Sequence, residues 1–265
     1  MRTFFVAMQN IYDHLVLYVG LLWLGLICLA WTPIALMLYP LLPVHRGRAI
    51  GRYVTMLCFR LFLASLALSR RFSFDLQVLD ELRNEPPMII APNHPCLLDA
   101  VMIISRLPNV ACVMKAELMR NIFLGAGARL ARYISNEPVR RMIQMAIQDF
   151  ACGSHLLLFP EGTRTVQSPI NPFKGSAGLI SRHAQVPVQT ILIETNSAYL
   201  SKGWPLLRKP PMPVHYRMRL GKRFDPPENT QHFVAELENY FAKELMQSST
   251  HIPTNSRPAQ AAHLS

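Results

Sequence analysis

The sequence predicts an α/β domain, a mixed and largely parallel sheet flanked by helices, set behind an N-terminal membrane segment. Three observations predict it. From residue 72 to 247, short apolar runs of strand length alternate with stretches of helical spacing. Residues 15–44, "LVLYVGLLWLGLICLAWTPIALMLYPLLPV", carry no charged side chain. The chain of 265 residues is long enough for that segment plus one domain with a substantial core.

The membrane segment occupies residues 1–71. A spanning helix needs about 20 apolar residues, so the run 15–44 suffices even with a bend or break at Pro33, and it can cross a bilayer or re-enter one leaflet. It exceeds a signal-peptide core and follows Asp13 rather than a basic cluster. Arg46, Arg48 and Arg52 follow it, whereas only Arg2 flanks its start. The positive-inside tendency therefore puts the rest of the chain on the cytoplasmic side of a membrane, of bacterial inner-membrane type. A second apolar stretch, residues 53–69, contains Arg60 and reads equally as an interfacial helix or as one packed on the domain.

The folded domain spans 72–247. "FSFDLQVL" alternates as a half-buried strand, and "PMIIAPN" is a continuous apolar run suited to a strand covered on both faces. "CLLDAVMIISRL" has helical spacing, with Pro95 in a permitted first-turn position. "NVACVMK" is a strand, and "NEPVRRMIQMAIQDFACG" a helix with Asn136 as N-cap, Pro138 in the first turn and Gly153 at the stop. "HLLLFP", "VPVQTILIE" and "VHYRMRLGKRF" are further strands; "GSAGLISRHA" and the amphipathic "NTQHFVAELENYFAKEL" are helices. Residues 248–265, rich in Ser, Thr, Pro and Ala, are expected to be disordered.

Lys and Arg number 27 against 16 Asp and Glu, a formal charge of +11, which points to anionic partners or to a basic surface kept for solubility. No nucleic-acid module or aromatic-basic interleaving accompanies it, so nucleic acid is not the expected partner. Five cysteines, odd in number and without a C-x-x-C pair, fit reduced thiols and argue against a disulfide framework or a zinc site.

Two motifs carry chemistry. "NHPCLLD", residues 93–99, sets His94 at a strand-to-helix junction and Asp99 about one turn into the helix, where the side chains can meet. A carboxylate on one imidazole nitrogen leaves the other free as a base, although such a pair taken alone is more often structural. "FPEGTR", residues 159–164, follows an apolar strand, where ligand sites gather in α/β sheets. Gly162 permits a tight turn, Glu161 can fix amides or Arg164, and Arg164 offers a planar fork for phosphate. Lys174 then opens the "KGSAG" helix, a second anion-binding surface.

Together these motifs, in this order and spacing, resemble those of the glycerolipid acyltransferases, the lysophosphatidic acid acyltransferase family. "KAEL" (115–118), "FKG" (173–175) and "VPV" (186–188) add to a likeness covering 72–224. The resemblance implies acyl transfer from acyl-CoA or acyl carrier protein to a lysophospholipid hydroxyl, with 1-acylglycerol-3-phosphate as the leading acceptor. His94 would be the base and Asp99 its orienting partner. Asn93, Glu161, Gly162, Thr163, Arg164, Lys174 and Lys115 would bind substrate, and amides near the end of "FPEGT" would hold the oxyanion. It further implies membrane lipids as partners and neither metal nor cofactor beyond the thioester co-substrate; oligomeric state is left open.

The chain departs from the family pattern at Asn136, where an Arg is usual, with Arg132, Arg140 or Arg141 as possible replacements, and at Thr190, where Pro is common, which reads as a loop variation. The first departure opens other acceptors, such as a lyso-ornithine lipid, a glycolipid or a polyene lipid. Cys96 reads as a packed thiol. A hydrolase would want a G-x-S-x-G elbow, and "GSAG" has the wrong spacing. A non-catalytic lipid-binding protein of the same fold is the remaining alternative.

Overall fold

The structure, a computed structural model, describes residues 2–122 and 125–249. Positions 250–265 of the expected disordered tail lie outside the described residues.

Two helices lead the chain: α1 (Arg2–Leu41) and α2 (Val44–Leu68). They run antiparallel, for Tyr12 near the start of α1 donates to the Ser69 carbonyl at 3.0 Å and Asp13 receives Arg71 Nε at 2.6 Å. Both are long and apolar enough to cross a membrane by length and composition. α1 begins well before the charge-free run, because "TFFVAM" is itself apolar, and it continues as one helix through Pro33, where a bend or break was expected.

α2 starts at Val44 rather than 53 and joins both readings of this stretch. One face buries Met56, Phe59, Phe62, Leu63 and Leu66 on the domain, each worth about 1.5–3 kcal/mol in apolar burial. The opposite face exposes Tyr53, Leu57, Leu61 and Leu68. The arginines taken as a cytoplasmic flank lie inside this helix, and two are consumed internally. Arg52, 1% exposed, reaches Asp149 Oδ2 at 2.6 Å, Ser154 Oγ at 2.7 Å and the Ala131 carbonyl at 3.0 Å; Arg48 takes the other Asp149 oxygen at 3.0 Å. They bolt α2 to the domain, and the positive-inside argument loses them.

The domain is a seven-stranded sheet: β1 (Phe72–Asp75), β2 (Ile89–Pro92), β3 (Val110–Met114), β4 (Ile134–Ser135), β5 (His155–Leu157), β6 (Val188–Thr195) and β7 (Val214–Phe224), in the order β1-β7-β6-β2-β5-β3-β4. Every neighbouring pair is parallel except β6 with β7. Interleaved helices are α3 (Asp99–Ile104), α4 (Ala116–Met119), α5 (Gly125–Leu130), α6 (Val139–Ala151), α7 (Ser176–Ala184) and α8 (Thr230–Ser249). Alternation along β2 divides the core: Ile90 faces a cluster with α1–α3, while Ile89 and Ala91 face one with α6–α8.

Three local expectations are corrected. The first strand stops at Asp75, and Leu76, Leu79 and Leu82, all buried at a spacing of three, wind into a 3₁₀ turn that a period-two reading misses. Asn136 does not cap α6; its N–H bonds the Met114 carbonyl at 3.0 Å as the chain leaves β4, and Pro138 precedes the helix. Thr190 is no loop variation but a buried position at an irregularity in β6, its hydroxyl on the Lys222 carbonyl at 2.8 Å.

Candidate active site

Parallel strands β2, β3 and β5 end on one edge of the sheet, and the residues just beyond them form a single constellation. His94 follows β2, Lys115 follows β3, and the 159–164 turn follows β5. The topology brings the two sequence motifs together.

His94 Nδ1 lies 2.8 Å from Asp99 Oδ2. The carboxylate is 0% exposed and also accepts the Cys96 N–H at 2.8 Å and its thiol at 3.0 Å. Burial, and then the Asp99 charge, push the Cys96 thiol well above its ordinary value, so it stays protonated and donates. Phe159 stacks on the imidazole, centroids 3.9 Å apart and planes at 22°. Ring, acid, thiol and phenyl thus hold one orientation, with Nδ1 occupied and Nε2 left for other work. The stack and the thiol contact were not read from the sequence, although Phe159 and Cys96 both stand inside the quoted motifs.

Glu161 was expected to bind substrate, and it turns inward instead. It is 2% exposed; Oε1 accepts the His94 N–H and the Thr165 hydroxyl, each at 2.8 Å, and Oε2 accepts the Asn171 N–H at 2.9 Å. Thr165 N–H closes the bracket on the His94 carbonyl at 2.7 Å. Asn93 is likewise spent on backbone: its amide exchanges bonds with Ile193 at 2.7 and 3.0 Å, pinning the end of β2 to β6. Both side chains are taken up by backbone beside His94. Asn171, absent from the sequence reading, caps the loop by accepting the Val166 and Gln167 amides at 3.0 and 3.1 Å. A lone Asn in a Pro-rich loop carries no motif by which to find it.

Gly162 has φ +66°, and a Cβ there would stand 2.7–2.8 Å from the Lys174 side chain. The glycine therefore makes the turn and lets the lysine pass. Its N–H bonds the Phe159 carbonyl at 3.0 Å, so it is not among the amides expected to hold an oxyanion. Arg164 Nη1 donates to the Leu200 and Ser201 carbonyls at 2.9 and 3.0 Å, which ties the 159–164 turn to the 197–204 loop.

His94, Gly162, Thr163, Arg164, Lys174 and Lys115 line one cleft of about 820 Å³, joined by Lys202, a cation the sequence did not single out. Asn136 also lines it, where an Arg was expected. Arg132 does not replace that Arg: it turns to α1, donating to the Tyr39 hydroxyl at 3.0 Å with its guanidinium carbon 4.6 Å from the ring centre. Arg140 and Arg141 lie on the exposed face of α6. Beyond the polar mouth the cleft continues between apolar side chains of α1, α2 and α3. A general base beside cations and above an apolar trough can hold an anionic amphiphile with its hydroxyl at the imidazole.

The comparisons with known proteins point the same way as fold and site. A family model described as Acyltransferase matches residues 73–194. A Pseudomonas aeruginosa protein named 1-acyl-sn-glycerol-3-phosphate acyltransferase is 23% identical over 180 residues, 66% of this chain and 68% of that one. The human 1-acyl-sn-glycerol-3-phosphate acyltransferase beta is 25% identical over 134 residues, 48% of each chain. The chain thus spans about half the length of three curated relatives and 68% of the bacterial one. The crystal structure of the 1-acyl-sn-glycerophosphate (LPA) acyltransferase PlsC from Thermotoga maritima shares the fold, with a TM-score of 0.65 at 18% identity over 96% of this chain and 99% of that one.

Proposed function

We propose that this protein is a membrane-bound O-acyltransferase that moves a fatty acyl group from acyl-CoA or acyl carrier protein to the free hydroxyl of a lysophospholipid, first 1-acylglycerol-3-phosphate. The observation that carries the reading is the His94–Asp99 pair, 2.8 Å apart, on a cleft shared by Arg164, Lys115, Lys174 and Lys202 and by apolar walls. His94 Nε2 takes the acceptor O–H proton as that oxygen bonds the thioester carbonyl carbon. Asp99 stabilises the imidazolium. Collapse of the tetrahedral intermediate breaks the C–S bond, and His94 returns the proton to the departing thiolate. No metal or prosthetic group enters this sequence; the thioester is a co-substrate.

The cations fit an acceptor phosphate and the trough fits acyl chain. The exposed apolar faces of α1 and α2 support seating in a bilayer, which holds the cleft at headgroup level near substrates that never leave the membrane. The five cysteines, all free, fit a domain on the reducing cytoplasmic side of an inner membrane.

The test is purified protein in detergent, given acyl-CoA or acyl carrier protein thioesters with a panel of lysolipids. Diacyl product should form with one acceptor, and His94→Ala should lower the rate by roughly 10²–10⁴-fold without unfolding the protein. Full activity in His94→Ala, or release of free fatty acid only, overturns the proposal. Because Asn136 leaves the acceptor phosphate one cation fewer, the panel includes lyso-ornithine lipid and glycolipid acceptors.

A further inference from the structure

The 201–208 loop beside the cleft holds two leucines out of the protein. It consists of two consecutive turns: the Trp204 N–H bonds the Ser201 carbonyl at 3.1 Å, and the Arg208 N–H bonds the Pro205 carbonyl at 2.9 Å. The Trp204 indole donates to the Arg208 carbonyl at 3.0 Å, the Arg208 guanidinium carbon stands 5.0 Å from the indole centre, and Tyr199 packs edge-on at 6.3 Å. The loop is thus braced by its own side chains. Leu206 and Leu207 are the two central residues of the second turn, 53% and 64% exposed. Turn positions in water usually go to Gly, Asn, Asp or Ser, so an adjacent pair of leucines there suits an apolar neighbour.

The surroundings of this tip indicate what it faces. Just after it, Lys209 Nζ reaches Asn10 Oδ1 of α1 at 2.6 Å and Asp13 Oδ2 at 3.6 Å. Phe4, Phe5, Met8 and Ile11, all exposed, flank Asn10 on the same turns of α1. Just before it, the Leu200 carbonyl accepts the Leu97 N–H at 3.1 Å and Arg164 Nη1 at 2.9 Å. The tip therefore stands between the apolar helix and the candidate site, and Leu206 itself lines the cleft. Lys202 and Arg208 are exposed on either side of the leucines, and the nearby Asp13 carboxylate is already held by Arg71 at 2.6 Å. Two apolar side chains between cations match the boundary between acyl chains and anionic headgroups.

We propose that the Leu206–Leu207 tip enters the headgroup–acyl boundary of an anionic bilayer, a membrane contact made by the catalytic domain itself and separate from α1 and α2. The proposal rests on the reading of the protein as seated on a membrane. Lys202 and Arg208 meet lipid phosphates while the leucines leave water, and the braced loop, tied to Arg164, holds the cleft mouth against the lipid surface. An acidic carrier protein would match the same charges, but the tie from Lys209 to α1 favours lipid.

The experiment places a reporter on the tip. Leu207→Trp, at a position already exposed, is made in the full-length protein and reconstituted into vesicles of phosphatidylglycerol and phosphatidylcholine whose chains carry bromine near the headgroup. Most of the emission gained over wild type should be quenched, and less of it in phosphatidylcholine alone or at high salt. Gained emission that stays bright while Trp23 of α1 is quenched overturns the tip contact and leaves the seating of the helices standing; if neither is quenched, both readings fall. Equal quenching in both lipids overturns the anionic preference, and shielding of the tip only when acyl carrier protein is added assigns it to that partner instead. Leu207→Asn gives a second readout: kcat/KM for a vesicle-borne lysolipid should fall by about tenfold, the worth of one leucine leaving water, with a short-chain acceptor dispersed as monomers turned over as in wild type. An unchanged rate on vesicles counts against the contact. The quenching needs no turnover, so it decides the tip whether or not acyl transfer is found.

Discussion

Replacing Glu161 by Gln separates a bracket from a ligand. The wild-type carboxylate accepts three bonds, from the His94 and Asn171 amides and the Thr165 hydroxyl. Gln keeps one oxygen. If that oxygen stays with His94 and Thr165, the new NH₂ faces the Asn171 N–H and leaves a buried donor unmet. The surviving bonds also lose their charge assistance. Together these cost roughly 2–4 kcal/mol, which for a chain of this size lowers the melting temperature by about 5–15 °C. Because one of the broken constraints sits on the His94 amide, a shift of about 1 Å at the imidazole should reduce kcat by roughly 10²-fold, with KM for the acceptor little changed. Thermal melts and steady-state acyl transfer on the same preparation read both effects. A raised KM with an unchanged melt and kcat would mean that Glu161 touches substrate, and would refute the bracket.

Gly162→Ala places a side chain at φ +66° and drives its Cβ into Lys174, at a backbone cost of about 1–2 kcal/mol; acyl transfer should fall at least tenfold, and wild-type activity would show that the lysine can pass elsewhere. Asp149→Asn leaves the buried Arg52 charge uncompensated and should destabilise by about 3–5 kcal/mol in a denaturant or thermal titration, an unshifted transition counting against the bolt between α2 and the domain. His155, 4% exposed beside the Leu82 carbonyl, Glu85 and Arg223, has its pKa lowered by burial. The folded state therefore holds fewer protons than the unfolded one in that window, so its stability is complete above about pH 6.5 and is lost as pH falls through the lower folded value. His155→Gln should flatten the acid limb of the melting-temperature profile; parallel profiles would exclude His155 as the cause.

Much of this protein was legible in one dimension. Strand and helix order follows from periodicity, since burial on one face imposes a repeat of 2 or 3.6 that survives in the sequence. His94 and Asp99 could be paired because five residues across a strand-to-helix junction are a local matter. Cys96 and Phe159 stood within the motifs, yet their roles needed coordinates, because a thiol donor and a stacked ring leave no periodic trace. Glu161 could be read two ways, as fixing amides or as binding substrate, and Asn93 only as binding substrate, for a related reason: a polar side chain beside such a loop looks the same in sequence whether it faces a ligand or braces the backbone.

The sequence by itself determined the α/β order, the apolar N-terminal helices and the pairing of His94 with Asp99. Only the tertiary structure decided that residues 67 apart, His94 and Glu161, share a hydrogen bond, and that Arg48 and Arg52 serve Asp149 instead of a membrane flank. Local preference is written along the chain, whereas which unsatisfied groups come face to face depends on how the sheet orders its strands and where α1 and α2 lie across it.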